Sequence, residues 1–130
     1  MSLEIKIDGI KELNAKLGKV QGTKVLRAPM HRSVFRLRDR LAQYPAKRPN
    51  NSYVRTGTLG KRWVSKILEI VDGLQGRVGN NTEYAPLVQS KRFQARVHRG
   101  LWINTDEFVL TTERQNIIND FRRAIREALR

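Results

Sequence analysis

Trp63-Val64-Ser65-Lys66-Ile67-Leu68-Glu69-Ile70-Val71-Asp72-Gly73-Leu74-Gln75-Gly76-Arg77-Val78-Gly79 is the stretch on which the fold turns. Trp63 to Val71 is dense in β-branched and apolar residues and predicts the longest strand of the chain. Asp72-Gly73 is a dipeptide suited to a hairpin turn, and the chain returns through Leu74 to Gly79. A long hairpin is therefore the first element, and the rest of the chain is read against it.

Upstream, Leu3, Ile5 and Ile7 alternate with Glu4, Lys6 and Asp8, the two-residue period of a half-buried strand that Asp8-Gly9 ends. Ile10, Leu13, Leu17 and Val20 then follow helical spacing, and this short helix stops between Gly18 and Gly22. Leu26, Met30, Val34, Leu37 and Leu41 mark a second helix. Pro29 predicts that this helix begins near Ala28 or kinks there, and Pro45 ends it by Tyr44. Residues 45–60 hold two prolines, two glycines and two asparagines, which predicts a long, mobile surface loop.

Downstream, Tyr84 to Val88 is a short apolar segment broken by Pro86, and Phe93 to His98 reads either as a strand or as an extended basic arm. Thr112 and Gln115 form a capping-box pair that predicts the start of a last helix. Its apolar face is Ile117, Ile118, Phe121, Ala124, Ile125, Ala128 and Leu129, and Arg122, Arg123, Arg126 and Glu127 stand opposite. Together these elements predict an α+β fold: a small antiparallel sheet with a long hairpin, packed against two to three helices including a C-terminal amphipathic one. At 130 residues the chain fits a single domain, residues 1–130.

Charge is the composition's strongest statement. Lys and Arg number 26 against 12 acids, a net charge of +14. Residues 23–62 hold eleven basic side chains and one acid, and residues 91–99 hold four basic side chains and none. Residues 100–130 are balanced, five against five. An excess this large repels itself in a compact fold, so an acidic partner is expected, either nucleic acid or the acidic face of a protein.

The chain has no cysteine and two histidines, so disulfides and thiolate metal clusters are excluded. His31 and His98 lack partners at metal-ligand spacing, and no carboxylate set or nucleophile–base pair stands out. Gly73, Gly76 and Gly79 fall within a hairpin, away from the strand-to-helix turn that a phosphate cradle needs. The expectation is a protein without catalytic residues, metal or cofactor. No apolar stretch is long enough to span a bilayer, so no membrane partner is expected. Asn80-Asn81-Thr82 matches a glycosylation sequon, which reads as accidental in a chain with no secretory signal.

Binding features are stronger. Arg32, Arg36 and Arg40 recur every four residues and form one stripe on the second helix. The plain reading is a solvated face whose arginine stems cover apolar surface, although such faces normally mix signs. Lys47, Arg48 and Arg55 carry the basic block into the loop. Lys91, Arg92, Arg96 and Arg99 interleave with Phe93 and run up to Trp102, a mixture that suits phosphate contact with base stacking, or an arginine-anchored protein interface.

Two stretches, in order, carry a family resemblance: Val54-Arg55-Thr56-Gly57-Thr58-Leu59 before the main strand, and Asn80-Asn81-Thr82-Glu83-Tyr84-Ala85-Pro86-Leu87-Val88 after the hairpin. With the opening Asp-Gly-Ile-Lys-Glu-Leu run, residues 8–13, they resemble the tail-completion, or head–tail joining, proteins of long-tailed bacteriophages. After Tyr-Ala-x-x-Val that family usually continues with Glu and Gly, whereas Gln89 and Ser90 stand here. The proline-phenylalanine segment expected before the last helix is absent, and Trp102 and Phe108 occupy its region. The resemblance implies a virion structural subunit, assembled in the host cytoplasm, that forms a homo-oligomeric ring, usually of six. Such a ring joins tail-tube and head-connector proteins around the path of the DNA. It implies that Arg55, Thr56 and Gly57 shape the junction of loop and strand. The alternative from the residues alone is a nucleic-acid-binding module using segments 23–62 and 91–99.

Overall fold

The structure, a computed structural model, describes residues 1–17, 22–46, 57–90 and 92–130. It is α+β, built on a three-stranded antiparallel sheet of order β1-β3-β2. Strand β1 is Ser2–Asp8, β2 is Trp63–Ile70 and β3 is Gly73–Asn80. Helix α1 spans Ile10–Leu17, α2 Gly22–Leu41, α3 Thr58–Lys61 and α4 Ala85–Gln89. A final helical run is made of α5 (Thr105–Glu107), a π-helical stretch (Phe108–Glu113) and α6 (Arg114–Ala128).

The hairpin is the centre of the sheet. Ile70 pairs with Gly73, so the two-residue turn is Val71-Asp72, one residue earlier than the expected Asp72-Gly73. Asp72 takes the left-handed conformation, φ 55°, which an aspartate tolerates better than most side chains. The same residue begins α1. Its carbonyl accepts from the Gly9 and Ile10 amides at 3.0 and 3.2 Å, and its Oδ1 accepts from the Lys11 amide at 2.6 Å. Three orphan donors at a helix start are thus satisfied by the tip of the hairpin.

Alternation in β1 places Leu3, Ile5 and Ile7 opposite Val78, Gly76 and Leu74 on the inner face. Helix α2 lies on that face with Leu26, Met30, Val34, Leu37 and Leu41 buried. Gly76 lets it approach closely, since a Cβ there would stand 2.5 Å from Val34 Cγ1 and 2.6 Å from Met30 Sδ. Pro29 does not begin this helix. Helix α2 starts at Gly22, whose amide donates to Asn14 Oδ1 at 2.5 Å, and runs through the fully buried Pro29 to Leu41. Anchoring before the proline, with Leu26 and Met30 packed on either side of it, outweighs the hydrogen bond that proline cannot donate.

Helix α6 packs against α2 through Ile117 and Phe121, which join the main core with Phe108. The run begins at Asn104, eight residues before the expected cap at Thr112. Asn104 Oδ1 accepts from the Glu107 amide at 2.8 Å, and Thr112 lies inside the π-helical stretch.

Candidate interaction site

The stripe on α2 is divided by its surroundings. Arg36 turns towards α6, where Nε donates to Glu113 Oε2 at 2.8 Å and Nη1 to Asp120 Oδ2 at 3.0 Å. The Glu113 side chain is 5% exposed and that of Arg36 33%, so this is a half-buried tie between helices, and Arg36 is drawn off the outward stripe. Glu113 faces inward because of the π-helical turn. In a regular α-helix, residues five apart point about 140° apart. The wider i→i+5 turn brings Phe108 and Glu113 back to the same side, where both are buried.

Arg32 stays exposed and has no carboxylate partner among the described residues. The Arg40 guanidinium lies 5.6 Å from the Phe108 ring centre and that of Arg38 4.8 Å from Phe35. Arg27 pairs with Glu69 at 2.6 Å, fastening α2 to β2. Lys47, Arg48, Arg55, Thr56 and Lys91 lie outside the described residues, as does most of the 45–60 loop. Gly57, at their boundary, has φ 81° and caps α3, so its lack of a side chain is used there.

The described end of the first family-like stretch, Leu59, meets the second. Leu59 packs with Ala85 and Val88 in a second, smaller core that also takes in Tyr44 and Trp102. Asn80 joins them, its Nδ2 donating to the Leu59 carbonyl at 2.7 Å and its Oδ1 accepting from the Thr82 amide at 2.9 Å. Asn80 is buried, which closes the sequon's acceptor amide to glycosylation. Pro86 falls in the first turn of α4, where its missing N–H has no helical partner to lose.

Residues 93–98 form neither strand nor extended arm. They make a turn and a 3₁₀ turn, Arg96–His98, organised by buried Gln94. Its amide Nε2 donates to the Val88 carbonyl at 2.7 Å and lies 3.3 and 3.4 Å from the carbonyls of Trp102 and His98. Backbone bonds from Gln94 to Ser90 and from Ala95 to Leu87, both 2.7 Å, fasten the turn to α4. Gln89 is buried too, and its Nε2 reaches the carbonyls of Leu41 and Ile103 at 3.2 and 3.3 Å. It thereby satisfies an orphan carbonyl at the end of α2.

The result is a braced corner. Arg92, Arg96 and Arg99 face solvent, and Leu87 and Phe93 are 53% and 55% exposed. The Arg92 guanidinium lies 5.1 Å from the Phe93 ring centre. Trp102 is half-buried against Tyr44 and His98, with ring centres 5.0 and 6.3 Å away. It also lines a cleft of about 270 Å³ with Arg40, Asn104, Glu107 and Thr111. Arg40 and Trp102, proposed separately from the sequence, therefore border one concavity. Among the described residues no group of three or more His, Asp or Glu side chains is placed to hold a metal, and no helix is long and apolar enough to cross a membrane.

The residues missed by sequence reading are the polar braces: Asn80, Gln89, Gln94 and Asn104. Asn104 had a signal, the Asn-x-x-Glu spacing of a helix start. Buried glutamines have none, because a glutamine among arginines reads as surface. No protein-family model, no curated protein and no solved structure matches this chain.

Proposed function

We propose that this chain is a structural subunit of a phage or prophage tail, which forms a ring and joins the tail tube to the head connector through protein–protein contacts. The observation that carries this reading is the braced corner. Exposed Leu87 and Phe93, on segments joined by the Ala95–Leu87 backbone bond, share this part of the chain with exposed Arg92, Arg96 and Arg99, a composition suited to an interface anchor, and Gln94 braces the turn.

A ring subunit needs two different surfaces, one for each neighbour. The outer face of the sheet supplies a second, where Val64 is 63% exposed and Leu68 and Ile70 are half-exposed beside Lys66. Among the described residues, strands β1 and β2 are the sheet's edges, each paired with β3 alone. Packing of Leu59 on Ala85 and Val88 gives the two family-like stretches a common structural purpose, which supports the resemblance. Mixing the chain with tail-tube and head-connector proteins encoded by neighbouring genes, and imaging the products by negative stain, tests the reading. Rings at the end of tubes or on connectors are expected, and a monomer that ignores both contradicts it.

A second reading, nucleic-acid binding by segments 23–62 and 91–99, is favoured by one observation. Arg92, Arg96 and Arg99 have no carboxylate partners among the described residues. It requires DNA affinity that falls steeply with salt and is lost on neutralising those three arginines.

A further inference from the structure

We propose that the solvent face of α6 is a binding surface for duplex DNA, separate from segments 23–62 and 91–99 and independent of ring formation. Residues 100–130 are neutral by count, but two of their five acids, Glu113 and Asp120, turn inward to share Arg36. Arg122, Arg123 and Arg126 are exposed, and Glu127 is the one exposed acid among them on α6. No carboxylate lies within ion-pair distance of these three among the described residues.

Favourable interaction with the helix dipole accounts for a cation in the last turn, but it fades beyond that turn, and Arg122 and Arg123 lie further from the end at Ala128. Arg122 and Arg126 are also one turn apart and repel each other, which an anionic partner relieves. Gln115, Asn119, Arg122 and Arg126 follow four-, three- and four-residue steps, so they line one stripe about 16 Å long. Gln115 and Asn119 are exposed, with Gln115 Nε2 donating to Asn119 Oδ1 at 2.9 Å.

Arginine forks match phosphates and guanine edges, and Gln and Asn amides match adenine edges or sugar–phosphate oxygens. An acidic polypeptide would engage the arginines, whereas a duplex groove offers phosphates to the arginines and base edges to the amides along one stripe. The deep, narrow major groove of duplex RNA excludes a helix, whereas that of B-DNA admits one.

The test is fluorescence anisotropy with a duplex of roughly 20 base pairs, titrated at several salt concentrations from about 50 mM upward. Three chains are compared: the unmodified one, an Arg122→Gln/Arg123→Gln/Arg126→Gln variant, and an Arg92→Gln/Arg96→Gln/Arg99→Gln variant. All three arginines of α6 are exposed, so the first variant is expected to keep its circular dichroism spectrum and melting temperature. It is expected to bind roughly tenfold or more weakly at low salt, with a log–log salt slope shallower by about 2 to 3. The turn variant is expected to lose less. Absence of DNA binding by the unmodified chain, wild-type binding by the helix variant, a loss in the turn variant equal to or larger than the helix variant's, or equal competition by polyglutamate overturns the proposal. The solution mass of the helix variant, measured alongside, reports on ring formation separately.

Discussion

Removing a buried amide that serves several carbonyls strips all of them at once, and Gln94 holds that position beneath the basic turn. Gln94→Leu is expected to cost about 1–3 kcal/mol in denaturant unfolding, the range for leaving buried polar groups unpaired. The loss of amide exchange protection should centre on Ala95, whose amide bonds to Leu87 of α4, and on Leu101 and Trp102, whose amides bond to His98. Glu113 is the second decisive residue. Glu113→Gln leaves Arg36 with Asp120 as its one charged partner, and a loss of about 1–3 kcal/mol is expected by the same measurement. Replacing all three together, Arg36→Met with Glu113→Leu and Asp120→Asn, is expected to restore much of it, because no unpaired charge is then left between the helices. At this scale the sequence was least legible. Four-residue spacing placed Arg32, Arg36 and Arg40 on one stripe, but spacing cannot say which member meets a carboxylate some eighty residues away.

Among elements, those whose signals are local were readable. Alternation gave β1, and apolar spacing gave α1, α2 and the apolar face of α6. The start of the last helical run was misplaced for a definable reason. Both Asn104–Glu107 and Thr112–Gln115 fit a helix-start pattern, and the regular apolar period resumes only at Ile117. Phe108 and Glu113 are five apart, out of phase with an α-helix, so their shared inward face is visible only once the π-helical turn is known. Asn104→Ala is expected to destabilise the protein by about 1 kcal/mol, whereas Thr112→Ala should change little. Comparing their unfolding midpoints checks which residue begins the run. Pro29 shows the opposite case, a reliable local signal overridden by packing on both sides of it.

For the molecule as a whole, the α+β class was legible because the hairpin at 63–79 is unambiguous and the strand and helix periods flanking it differ. The total charge was legible, but its distribution was not. Pairing within the fold consumes Arg27 and Arg36, whereas the 92–99 turn and the outer face of α6 keep their arginines outward. The braces that shape the turn, Gln89 and Gln94, become meaningful only when the ends of α2, α4 and α5 converge. In the proposed role this chain sticks to its own copies and to protein neighbours, with the Leu87–Phe93 corner as an anchor. The decisive experiment is sedimentation over a range of concentrations, for the unmodified chain and for Leu87→Asp/Phe93→Asp with tail-tube and head-connector proteins present. A ring-sized species that collapses to free monomer in the double variant is the expected result. Identical assembly by both chains, or monomer in every sample, would contradict it.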